Sequence, residues 1–153
     1  MALFSNKQEA NLRSCIRMIE DALQSLGHPP DESRSESADD MPAWRVETNA
    51  GSHVEVHLGV EGEKNVLRVR ATVARVPEGA DEAAIYRKLL ELNCGEVKGV
   101  AFGLYGRDIV LVAERATIDL DPSETEDMLR RTEGFCEHYA EVLRRDLVVT
   151  SRV

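Results

Sequence analysis

A chain of 153 residues, 42% hydrophobic and 31% charged, is long enough for one domain whose core needs no disulfide or metal staple. Its 28 acidic and 19 basic residues leave a formal net charge of −9. That charge argues against a nucleic-acid partner, because binding to a phosphate backbone draws on clustered Lys and Arg.

The opening MALFSNKQEANLRS shows no basic stretch followed by an apolar one, so no signal peptide is expected. No apolar run approaches the roughly 20 residues that a membrane span needs. Cys15, Cys94 and Cys136 are too few and too scattered for a disulfide framework. A soluble, cytoplasmic chain without a membrane partner is the expectation.

The first period is helical. Leu12, Cys15, Ile16, Ile19, Leu23 and Leu26 recur every three or four residues and share one stripe. Ser5 and Gln8 suit a capping box at its start, and Gly27 a natural stop. The next stretch, HPPDESRSESADDMP, is rich in proline, serine and acid and offers nothing to a core, so a flexible acidic connector is expected over 28–42.

Residues 43–76 switch to period two. Val54, Val56, Leu58 and Val60 alternate with His53, Glu55 and His57; Leu67, Val69, Ala71 and Val73 alternate with Arg68, Arg70 and Thr72. Turns at Asn49–Gly51 and around Gly62 complete a three-stranded meander opened by Trp44 and Val46. The segment DEAAIYRKLLELNCG returns to helix. Its apolar residues Ala83, Ala84, Ile85, Tyr86, Leu89, Leu90 and Leu92 nearly encircle it, which predicts burial on more than one side.

Two strands follow, near 98–105 and 108–117, joined at YGRD. The last helix opens with Asp121 as cap, Pro122 in the first turn and Glu124 completing the box. Met128, Thr132, Phe135, Cys136, Tyr139 and Leu143 form its stripe, and 147–153 reads as a tail. The order α-β-β-β-α-β-β-α describes an α+β domain over 1–153, with three helices on a five-stranded antiparallel sheet.

No chemical signature survives inspection. Cys94 lies at a helix C-terminus, where the dipole opposes the thiolate, and Gly95 reads as the left-handed residue ending that helix. Cys15 and Cys136 sit on helical stripes as small hydrophobes. Gly99, Gly103 and Gly106 precede a strand, whereas a phosphate cradle must open a helix. Gly106 belongs to the hairpin turn, while Gly99, Ala101 and Gly103 leave one face of their strand nearly bare, a lane for close packing. His53, Glu55 and His57 share a strand face, but residues four apart on a strand are separated by roughly 13 Å, too far for both histidines to share one ion. His28 and His138 have no nucleophile placed beside them by motif. No catalytic residue, metal or cofactor is expected.

The element order, LLELN closing the second long helix, the hairpin GVAFGLYGRDIVLVAE and the long amphipathic last helix resemble two bacterial groups. One is the type III secretion chaperones; the other is the YbjN family of sensory-transduction or stress regulators, which looks like the same fold. The resemblance spans roughly residues 6–146 and rests on hydrophobic pattern. It implies a homodimer that binds a partner polypeptide without doing chemistry, or, on the YbjN side, a regulator that contacts folded proteins.

Ile109 and Leu111 oppose Val110 and Val112, so both faces of their strand are apolar and each needs cover. The residues expected at a dimer or partner surface are therefore Ile85, Tyr86, Leu89, Leu90, Ala101, Gly103, Val110 and Val112.

Overall fold

The computed structural model of the chain describes residues 2–62 and 64–150. Helix α1 runs over Ala2–Ser25, so Ser5 lies inside it and the expected capping box does not mark its start. The helix ends as expected at Gly27, whose φ is +88°. There His28 N–H donates to Leu23 O over 2.9 Å and Gly27 N–H to Gln24 O over 3.1 Å, the double closure that satisfies the last carbonyls of a helix.

The stretch expected to be an unstructured connector carries two elements. Pro30–Ser33 form a short helix, α2, and Arg34–Ser35 a short strand, β1. Strand β1 pairs antiparallel with β2 (Ala43–Glu47), Arg34 opposite Trp44 and Ser35 opposite Ala43. A two-residue strand has no periodicity to read, and its partner lies beyond an intervening turn. The remaining strands are β3 (His53–Glu61), β4 (Lys64–Arg75), β5 (Ala101–Tyr105) and β6 (Asp108–Ala116). The sheet therefore has six strands, in the order β1-β2-β3-β4-β6-β5, where five were expected.

Helix α3 covers Glu82–Gly95 and α4 Pro122–Thr150. The capping box of α4 forms as expected: Glu124 N–H donates to Asp121 Oδ1 over 2.9 Å, and Asp121 N–H to Glu124 Oε2 over 3.3 Å. Residues 147–150, read as tail, continue this helix, with Leu147 buried; residues 151–153 lie outside the described residues. No described helix is long and apolar enough to cross a membrane.

Contacts divide the chain into two compact units. The first comprises Met1–Val46, Glu55–Val69 and Glu114–Arg130. Its core joins Cys15, Ile19 and Leu23 of α1 to Trp44, Val56, Leu58, Leu67 and Val69 of the strands. A closed polar group sits among them: Thr117 Oγ1 donates to Asn11 Oδ1 over 2.8 Å, and Asn11 Nδ2 to Thr117 O over 3.4 Å. Val60, expected on the inner face of β3, is 53% exposed beside the Gly62 turn.

The second unit comprises Glu47–Val54, Arg70–Ala113 and Arg131–Val153. Val73, Ile85, Leu89, Phe102, Ile109, Leu111, Tyr139 and Leu143 are its principal buried side chains. Phe102 meets Tyr139 edge to face at 5.2 Å between ring centroids.

Candidate protein-docking surface

The second unit holds α3 firmly at the β5 edge of the sheet. Asp81 caps the helix by accepting from Ala84 N–H over 3.0 Å. Ahead of it, Arg107 donates to Pro77 O (2.7 Å), Val76 O (3.2 Å) and Glu82 Oε1 (3.1 Å), fixing the approach from β4. Tyr139 on α4 donates its hydroxyl to Glu96 over 2.9 Å, and Lys88 pairs with Asp146. Burial, then the bond to Glu96, pushes the Tyr139 phenol up to about 12.

The helix does not end as its sequence suggests. Gly95 is absent from the left-handed residues; Glu96 closes the helix with φ −107°, its N–H bonding Leu92 O over 2.9 Å. The left-handed glycine is Gly99, φ +74°, where a Cβ would lie 2.8 Å from Arg131 Nη1. The dihedral favours glycine there, and any side chain would also have to displace the Arg131 guanidinium.

Asn93 makes the contact that binds helix to strand. Phe102 N–H donates to Asn93 Oδ1 over 2.7 Å, and Asn93 Nδ2 donates to Phe102 O over 3.2 Å. One side chain thus does for Phe102 what a neighbouring strand would do. Sequence reading missed it, although its signal was present: Asn93 follows Leu92 and lies four residues after Leu89, on the inward side of α3.

The expected surface residues divide into two groups. Ile85, Leu89 and Val110 are buried within the single chain, between 4 and 5% exposed, and are core residues. Leu90, at 68%, and Ala101 are exposed; Tyr86, Gly103 and Val112 are half-buried. Helix α3 therefore buries one side, through Ile85, Leu89 and Leu92, and leaves the opposite side open, contrary to the expected burial on several sides.

The open side carries Leu90 and Ala83 with Tyr86, whose hydroxyl donates to Glu82 over 3.0 Å, and an Arg87–Glu91 ion pair at 3.1 Å. The bond to Glu82, then burial, raises the Tyr86 phenol. An apolar cleft of about 490 Å³ runs beside α3, lined by Ala84, Ile85, Lys88, Leu143, Asp146 and Leu147 among others.

The edge strand β5 is also partly open. Gly103 lies opposite Val110 and Ala101 opposite Val112, while Leu104 is 44% and Tyr105 65% exposed. The Arg70 guanidinium lies 4.7 Å from the Tyr105 ring centroid.

The titratable residues are arranged for structure. Burial pushes the Cys15 and Cys136 thiols up, away from reactivity. Cys94 is exposed on the last turn of α3. His57 of the His53–Glu55–His57 face contacts Asp39 at 3.0 Å. Among the described residues, no three His, Cys, Asp or Glu are grouped to hold a metal ion.

No protein-family model and no curated protein matches the sequence. Solved structures do match the fold. A chain of the ExsC–ExsE complex superposes with TM-score 0.61 at 20% identity, over 86% of this chain and 94% of that one. A chain of the heterodimeric ExoU–SpcU complex from the type III secretion system of Pseudomonas aeruginosa gives 0.55 at 18%, over 80% and 94%. A chain of the HopA1–SchA chaperone–effector complex gives 0.55 at 12%, over 87% and 97%. This chain therefore has the α+β fold found in those complexes, a secretion-chaperone-like fold.

Proposed function

We propose that this protein is a non-catalytic protein-binding module of the type III secretion chaperone kind, which works in the cytoplasm as a homodimer holding a partner polypeptide. One observation carries the reading: Leu90 stands 68% exposed on a helix that has already buried Ile85, Leu89 and Leu92. A leucine in that position, beside an edge strand with exposed Leu104 and Tyr105, makes an apolar area of the kind that marks protein interfaces. The Arg87–Glu91 pair adds charges of both signs beside Leu90, which suits a face that meets its own copy across a two-fold axis. The fold likeness supports the partner-binding part of this reading, since HopA1–SchA is a chaperone–effector complex and ExoU–SpcU a secretion-system heterodimer.

Light scattering across a concentration series tests the dimer. The expected mass is twice that of one chain, and Leu90→Glu is expected to weaken the dimer by roughly 100-fold, because a charge must then be desolvated at the interface. Leu89→Glu is unsuitable, since Leu89 is buried in the single chain and its loss would unfold the protein. A wild-type monomer at all concentrations, or an unchanged dimer in Leu90→Glu, overturns the assignment.

A further inference from the structure

Residues 30–41 lie along the outer edge of β2 without placing an apolar side chain in the core. The one buried residue among them is Ser33, whose hydroxyl donates to Pro29 O over 2.9 Å within the segment's own turn. Helix α2 rests against α1, Pro30 and Met41 are half-buried, and the other attachments are few. Arg34 and Ser35 pair with Trp44 and Ala43. The Arg34 guanidinium sits 4.6 Å from the Trp44 ring centroid and 2.8 Å from Glu20 Oε1. Asp39 Oδ1 meets His57 Nε2 at 3.0 Å and accepts the Ser37 hydroxyl over 2.8 Å.

Exposed ion pairs and cation–π contacts are weak interactions. A segment held mainly by them, with no apolar side chain fully buried, belongs to the part of a fold that opens first. What it covers is the reverse. Trp44 is 0% exposed, yet its Nε1–H finds no acceptor among the described residues. Buried donors nearly always have one, and the side chain over this ring is a cation that can only donate.

From this we infer that residues 30–41 form a detachable strap, which leaves the β2 edge as a unit while the rest of the protein stays folded. Opening exposes the Trp44 indole to an acceptor and frees the backbone groups that β1 occupies. The inference concerns the first unit and stands or falls independently of the α3 dimer.

Trp44 is the one tryptophan of the chain and so reports on the strap directly. In Arg34→Ala and in Asp39→Asn, acrylamide quenching of Trp44 is expected to rise several-fold well below the melting transition. Amide exchange over 43–46 should accelerate, with exchange over 109–111 unchanged. A lock provides the control: Ser35→Cys with Ala43→Cys, in a Cys94→Ser background, joins residues that already face each other. Oxidation should suppress quenching, and reduction should restore it. The strap is refuted if both variants keep wild-type quenching and exchange, or if Trp44 becomes accessible only when the 109–111 amides also open.

Discussion

At the scale of single residues, Asn93 and Asp39 each hold a junction that hydrophobic pattern cannot make. Asn93→Ala leaves the outward N–H and C=O of Phe102 without their clasp. The expected cost is about 1–3 kcal/mol in urea denaturation, the penalty for unsatisfied backbone groups at a covered edge. Asn93→Asp keeps the acceptor and loses the donor, and should fall between wild type and Asn93→Ala. Equal stability for all three would mean that water serves Phe102 as well.

Asp39 is the hub of the 37–41 turn. The bond from His57, then that from Ser37, holds its carboxyl down at about 2, against an ordinary 3.8. Folding lowers this pKa, so the native state favours the ionised form. The stabilisation is complete above pH ~4 and is lost as pH falls towards 2. A carboxyl titration followed by NMR is expected to place Asp39 near the bottom of that window, and replacing His57 with Ala should move it back up. An unshifted Asp39 in the wild type would dissolve the hub.

Among elements, those with a strong local period could be read directly. The stripe of α1 and its Gly27 stop, the Asp121–Glu124 box and the three hairpins needed only neighbours within four residues to declare themselves. The elements that escaped depend on distant partners. Strand β1 exists because Arg34 meets Trp44 and Glu20, and nothing within ESRSES announces either. The pattern of α3 showed a surplus of apolar residues but not which side they cover. Pattern alone puts Ile85, Leu89 and Leu90 together at one surface, whereas in the fold Ile85 and Leu89 are buried and Leu90 is exposed. The left-handed turn expected at Gly95 falls instead at Gly99, where Arg131, 32 positions further on, lies against the backbone.

For the molecule as a whole, the proposed homodimer makes stability a matter of concentration. Association that accompanies folding should raise the melting midpoint by a few degrees for each tenfold increase in protein, on the order of ~1.4 kcal/mol. Leu90→Glu should give a midpoint independent of concentration. A flat wild-type response would separate folding from association. The net charge of −9 adds a partner preference to this picture, favouring polypeptides that are neutral or basic over nucleic acids.

The sheet order has one more consequence. A six-stranded sheet beginning at β1 and ending at β5 has two ends, and bare ends are where β-proteins stack into fibres. Here one end is a two-residue strand, too short to template a long partner, and the other is interrupted at Phe102 by the Asn93 amide. Head-to-tail stacking, which would need both ends flat and vacant, is hindered at each by a different device while the strap is in place. Slow amyloid growth from the native fold is the expected result in a thioflavin assay, and it comes from the two places where this sheet looks least regular.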